Sequence, residues 1–275
     1  MTSELATADI TIKTATCAGG LPVYAAVPSG STRRPVLIVM HERYGFTDEP
    51  MKSQTERFAR EGFVCVAPDF FFKHADQKAL HAGDTTYEMT DPESIGYFDA
   101  VVAWLKAEVP QADLDRLCIM GVCQTGRHPL VYASRRPLAA ALVWYGAAQP
   151  REFKVSERYP VPLEELIAKI DCPVLGQFGE ADHIISIGDI RRLRGALEQH
   201  GKRFTINIYR DAPHGWLNYG MPGRYRKDIA ERALADQRDF LREVLAPDFD
   251  RARIVQRWCA DVSDSYDFSA NKRQA

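Results

Sequence analysis

The chain has 275 residues, 45% of them hydrophobic, which is ample for one large core and compatible with one or two domains. Lys plus Arg number 35 against 37 Asp plus Glu, a formal charge of -2, so neither a nucleic acid nor an anionic membrane is expected as a partner. No signal peptide and no apolar stretch of membrane-spanning length is visible, and the six scattered cysteines contain no CxxC pair; reduced thiols and a cytoplasmic location are expected.

In chain order, residues 30–34 read as a loop, after which short apolar runs alternate with longer amphipathic stretches. Pro35 to Met40 is an unbroken apolar run of strand length, as for a strand buried on both faces. Residues 50–61 read as a helix closed by Gly62, and Phe63 to Ala67 as the next strand. The segment 68–91 is long and irregular and is expected to cover the site. From Pro92 to Glu108 the residues Ile95, Phe98, Val102 and Leu105 recur at helical spacing, with Asp91 as a candidate cap. Arg116 to Met120 reads as a strand and Leu130 onward as helical. Ala139 to Trp144 has strand length and position, although a buried helix would have the same periodicity. Cys172 to Phe178 and Phe204 to Tyr209 read as strands, residues 188–200 and about 225–245 as helices. This alternation predicts an α/β fold with a mostly parallel sheet and helices on both faces. One domain over 1–246 and a polar tail over 247–275, packed or frayed, are expected. Ligands of such sheets bind at the carboxyl ends of strands, which directs attention to the loops after residues 40, 120, 178 and 209.

Three of those loops carry reactive side chains. Gly121-Val-Cys-Gln-Thr-Gly126 has the form of a nucleophile elbow, in which small neighbours permit a sharp strand-to-helix turn that lifts the nucleophile above the sheet. The following helix N-terminus would favour a thiolate at Cys123. A strand-to-helix turn with a buried cysteine is the alternative. Gly179-Glu-Ala-Asp182 places an acid after a late strand, where it either orients a histidine or serves as an ordinary turn aspartate. His214-Gly-Trp216 places a histidine before the last long helix. Each residue alone has a bland reading, but nucleophile, acid and base arrive together in one chain order, each just after a predicted strand. Tyr44, Tyr87, Trp144, Tyr145 and Trp216 are aromatic candidates for lining a pocket, or for core packing.

On His41-Glu-Arg-Tyr-Gly45, Val66-Ala-Pro-Asp69, Gly121-Val-Cys123, Gly179-Glu-Ala-Asp182, His214-Gly-Trp216 and Met221-Pro-Gly-Arg-Tyr-Arg226, the chain resembles the dienelactone hydrolase (carboxymethylenebutenolidase) family of the α/β-hydrolase superfamily, over roughly residues 9–245. The resemblance implies an α/β-hydrolase fold and a cysteine nucleophile at Cys123, with Asp182 and His214 completing a triad. It further implies that Glu42 helps generate the thiolate and that the backbone N–H groups of Arg43 and Gln124 form the oxyanion hole. No metal or cofactor is implied.

The sequence departs from the family in the elbow and in the arginines expected around the substrate. Thr125 stands where a glycine is usual, and Pro129 should kink or delay the helix. Arg127 would either lower the Cys123 pKa or point to solvent, with solvent preferred. Asn218 occupies the position of an arginine that holds the substrate carboxylate, and residues 74–98 contain no second arginine. Arg43, Arg127 and Arg224 are the candidate replacements, with Tyr44, Tyr87, Thr125, Tyr145, Trp216 and Asn218 as further substrate contacts.

The expected function is hydrolysis of a small, ring-derived lactone or ester by a monomer or homodimer, in the setting of aromatic catabolism. Competing readings are an acyl transferase or other carbon-bond hydrolase with the same triad, a silent small-ligand-binding relative, and a thiol redox sensor, the last lacking an evident resolving cysteine.

Overall fold

A mainly parallel sheet with packed helices is what the chain forms in the computed structural model, which describes residues 8–274. Two compact units divide it, Met1–Ile119 and Met120–Ala275.

In the first unit, β1 (Ile10–Cys17) and β2 (Leu21–Pro28) form an antiparallel pair running from Ile10 opposite Pro28 to Cys17 opposite Leu21. Then follow β3 (Arg34–Val39), α1 (Asp48–Arg60), β4 (Val64–Pro68), α2 (Gln77–Ala82), α3 (Asp91–Glu108) and β5 (Ala112–Val122), whose last residues belong to the second unit. The order is β1-β2-β4-β3-β5, with β3 and β4 parallel. The apolar runs at Pro35–Met40 and Phe63–Ala67 thus become β3 and β4, whose central residues are fully buried. One helix start differs from expectation. Thr90, not Asp91, caps α3, accepting from the Glu93 N–H at 3.3 Å, and Asp91 is buried inside the first turn with Pro92 beside it. A threonine hydroxyl can satisfy an orphan N–H from outside the helix, and proline suits the first turn because its missing N–H is not needed there. Within the segment 68–91 lies α2, capped by the Asp76 carboxylate on the Ala79 N–H.

The second unit holds α4 (His128–Ala133), β6 (Ala140–Trp144), α5 (Leu163–Ala168), β7 (Val174–Ala181), α6 (Ile187–Gln199), β8 (Phe204–Pro213), α7 (Lys227–Val244) and β9 (Gln256–Ala260). Strands β6-β7-β8-β9 are neighbours in that order and all parallel. The ambiguous run at 139–144 is a strand with every residue of β6 buried. α6 opens on a reciprocal cap, in which Ser186 Oγ accepts from the Asp189 N–H at 3.1 Å and the Asp189 carboxylate accepts from the Ser186 N–H at 3.0 Å. α7 buries Ala230, Ala233, Leu234, Phe240 and Leu241 along one stripe. The tail packs: it adds β9 to the edge of the sheet, then continues through a turn and a short 3₁₀ segment, Phe268–Ala270. Among the described residues no helix is long and apolar enough to cross a membrane.

Candidate active site

β5 delivers Cys123 to a sharp turn. Cys123 has φ +56°, a left-handed conformation that a side chain adopts only when its surroundings impose it. Those surroundings are tight. A Cβ on Gly121 would lie 2.5 Å from the Thr125 carbonyl oxygen and 2.7 Å from Pro129 Cδ. A Cβ on Gly146, just after β6, would lie 2.5 Å from the Cys123 carbonyl oxygen. Larger residues at either place would open the turn. Thr125, the unexpected residue of the elbow, braces it: its hydroxyl accepts from the Val122 N–H at 3.0 Å and donates to the Val122 carbonyl at 2.9 Å. A single 3₁₀ turn, Cys123–Thr125, begins at the cysteine itself, and α4 starts only at His128 with Pro129 in its first turn, so the helix is delayed as the proline requires.

The second unit brings Cys123, His214 and Asp182 into one line. His214 Nε2 lies 3.1 Å from Cys123 Sγ, and His214 Nδ1 lies 2.8 Å from Asp182 Oδ2. The other Asp182 oxygen accepts from the N–H groups of Ile184 and Ile185 at 2.7 and 3.0 Å, so both oxygens of the carboxylate are committed. Cys123 is half-buried; Asp182 and His214 are almost wholly enclosed. Burial disfavours the imidazolium, but the Asp182 carboxylate and the Cys123 sulfur outweigh it and hold His214 well above the ordinary histidine value. Of the other five thiols, Cys259 is exposed, whereas Cys17, Cys65, Cys118 and Cys172 are buried, and burial pushes Cys172 up to about 12, so it behaves as a small hydrophobe.

Aromatic rings back the histidine. Tyr145 meets the His214 ring edge-on at 5.2 Å, and Trp216 is enclosed by Trp144, Tyr145 and Tyr209 at 5.2, 5.5 and 5.3 Å. Tyr145 and Trp216 are fully buried and form a wall behind His214. Arg127 corrects an expectation. It does not point to solvent: it is fully buried, donating to the carbonyls of Glu152 at 2.9 Å and Val161 at 2.6 Å and lying over the Tyr159 ring. A guanidinium tolerates this because its planar fork can satisfy several carbonyls while its face stacks on an aromatic ring. Asn218 is buried in the turn after the base, accepting from the Gly220 N–H at 3.0 Å, and Arg224 is buried with its Nε donating to the Gln274 carbonyl at 2.9 Å.

Glu42, Arg43 and Tyr44 follow β3 in the first unit, and Tyr87 lies before α3. There Arg43 donates to the carbonyls of Gly83 and Thr85 at 3.0 and 3.4 Å and lies over Tyr44, and Tyr87 donates to Glu93. These residues pin the segment around α2. Sequence reasoning missed His183 and Gly146. His183 stands edge-on to His214 at 5.9 Å. Burial lowers its pKa further than Asp182 restores it, with His214, Arg224 and Arg273 adding to the lowering. Its adjacency to Asp182 was the available signal.

The profile of the dienelactone hydrolase family matches residues 21–245, a span that includes Cys123, Asp182 and His214. The chain belongs to the dienelactone hydrolase family. A Salmonella typhimurium relative named "Putative carboxymethylenebutenolidase" is 31% identical over 225 residues, covering 78% of this chain and 81% of its own. A Methylorubrum extorquens relative of the same name is 28% identical and covers 82% and 77%. Among solved structures, a Klebsiella pneumoniae protein described as a "Putative Dienelactone Hydrolase" superposes with TM-score 0.75 at 24% identity, over 85% of this chain and 98% of its own. An alpha/beta hydrolase from a deep-sea metagenome library superposes with TM-score 0.63 at 14% identity, over 87% and 99%. The fold is that of the α/β hydrolases. The family profile ends at 245, whereas the ordered chain of this family member continues through β9 and beyond.

Proposed function

We propose that this protein hydrolyses a lactone or ester bond of a small substrate through Cys123. The observation that carries the reading is the continuous Sγ–Nε2 and Nδ1–Oδ2 line from Cys123 through His214 to Asp182. Sγ attacks the carbonyl carbon while its proton passes to His214 Nε2. The tetrahedral intermediate collapses, the C–O bond breaks, and the leaving oxygen takes the proton from Nε2, leaving a thioester on Cys123. In a lactone the alcohol stays tethered to the acyl group. Nε2 then removes a proton from water, the hydroxide adds to the thioester, and C–S cleavage releases the acid while the departing sulfur takes the proton back from Nε2. Asp182 keeps the Nδ1 proton in place, so that Nε2 faces the sulfur, and stabilises the imidazolium. The family resemblance adds Glu42 as a proton acceptor and the backbone N–H groups of Arg43 and Gln124 as oxyanion donors; those assignments rest on the resemblance alone.

Family membership makes lactones and aryl esters the first substrates to assay. Wild type is expected to turn over some of them and to accumulate a thioester adduct detectable by mass on Cys123, and Cys123→Ala to do neither. No turnover and no adduct across the panel would reject the reading, and full activity of Cys123→Ala would reject the nucleophile.

A further inference from the structure

The strand β7 ends where its pairing with β8 slips, between Gly179 and Ala181, and the acid leaves the sheet one residue later. An interrupted ladder leaves backbone groups that need other partners. Here they come from the far end of the chain. The side-chain amide of Asn271 donates to the carbonyl of Glu180 at 3.0 Å and to that of Asp182 at 2.9 Å, so one NH₂ group bridges both sides of Ala181. The buried Glu180 carboxylate accepts from the N–H of Asp211 at 3.1 Å and from the N–H of Ser263. Asp211 has φ +58° and lies three residues before His214. Tyr266 accepts from the Ile187 N–H at 3.0 Å, at the start of α6, and the Gln274 carbonyl holds Arg224, whose stem lies beside Gly215. The segment 261–274 therefore grips the acid loop before and after Asp182 and reaches the base loop through Glu180 and Arg224.

We propose that residues 261–274 form a strap that sets the direction of the Asp182 side chain, and that Asn271 is the positioning residue at its tip; this rests on the reading of Asp182 and His214 given above. Asn271 touches neither Cys123 nor a reacting atom. It acts by fixing the peptide planes from which Asp182 departs. Since both Asp182 oxygens are already committed to set partners, a turn of the 182 carbonyl strains either the Ile184 and Ile185 contacts or the bond to His214. The groups facing His214 are Asp182, Cys123, His183 and Tyr145, with Arg224 and the strap's own Arg273 beyond His183; the Asn271 amide itself carries no titratable group.

The test uses the full chain with Asn271→Ala, Asn271→Asp and Asn271→Gln. Asn271→Asp is nearly isosteric but cannot donate, and it sets a charge against two carbonyls. Two readouts are taken from about pH 5 to about pH 9: steady-state hydrolysis of an aryl ester, and the rate of Cys123 alkylation by iodoacetamide. Expected for Ala and Asp is a fall in kcat of about tenfold with KM nearly unchanged, the scale of a modest misplacement of a catalytic group. The His214-dependent limb of both pH profiles should move, and Gln should recover part of the loss. A purely structural strap would lower the unfolding temperature and leave kcat per folded molecule and both pH profiles at wild-type values; that result overturns the proposal. If Asn271→Ala fails to fold, Asn271→Ser, which keeps one donor, takes its place under the same criteria. If wild type hydrolyses nothing, the hydrolase reading falls on that observation, and the alkylation profiles still decide whether the strap sets the His214 environment.

Discussion

β8 and β9 lie side by side, paired residue for residue from Phe204 opposite Gln256 to Ile208 opposite Ala260, yet they are held in place by different forces. β8 is apolar and largely buried, and the burial of Phe204, Ile206 and Ile208 suffices to place it. β9, Gln-Arg-Trp-Cys-Ala, has every residue but Trp258 exposed. It is secured by the backbone ladder, by the two-pronged bond of Arg257 to Glu243 at 2.7 and 2.8 Å, and by Arg194 lying over Trp258. Its exposed arginine and glutamine also discourage another chain from adding to that edge. One strand leads directly into the loop that carries His214, while the other, invisible to hydrophobic periodicity, leads into the segment whose Asn271 bonds the carbonyls of Glu180 and Asp182.

His214→Ala removes what β8 delivers. Hydrolysis should fall at least about a thousandfold, with secondary structure unchanged by circular dichroism; a variant within tenfold of wild type would separate β8 from the chemistry. Asp182→Asn keeps the shape of the site but lets the imidazole adopt the wrong tautomer, and kcat should drop by about 10²–10⁴. It also tests a linkage. His214 is raised in the folded state, so its contribution to stability is fully present below the unfolded histidine value of about 6.5 and is lost as pH rises through its folded value. Denaturant unfolding over a pH series should show the wild-type advantage over Asp182→Asn shrinking toward alkaline pH, and an advantage that grows would contradict the assignment.

Trp216→Ala removes the wall behind His214 and leaves a cavity among Trp144, Tyr145 and Tyr209. The expected cost is about 3–5 kcal/mol of stability by chemical denaturation, since the ring is fully buried. The smallest effect belongs to β9. Glu243→Gln weakens the Arg257 fork and should change global stability by no more than about 1 kcal/mol, as exposed ion pairs do. Hydrogen exchange should speed up for β9 amides and not for β8; equal acceleration in both would mean that the two strands are one cooperative unit. The Arg257 bond lowers the Glu243 pKa, so the contribution of this pair is present above the ordinary glutamate range and is lost as pH falls through the folded value.

How much was legible follows the same division. The strands at 34–39, 64–68 and 204–213 and the helices at 48–60 and 227–244 are written in runs and periods of apolar residues, because burial selects them one position at a time. The short helices α2 and α5 carry too few turns for a period to show. Cys123, Asp182 and His214 were readable because a sharp turn needs small neighbours and because chain order places each after a strand. Arg127 was misread because nothing local in Thr-Gly-Arg-His-Pro announces two distant carbonyls and a tyrosine ring waiting to receive a guanidinium.

By itself, then, the amino-acid sequence determined the alternation of elements, the three reactive side chains and their order, since each depends on residues close together in the chain. Tertiary structure alone decided the fate of Arg127, the wall of Tyr145 and Trp216, and the binding of Asn271 to the two carbonyls around Ala181. Those depend on groups tens of residues apart, and a hydrogen bond between an amide and a main-chain carbonyl leaves no trace in composition or periodicity at either end.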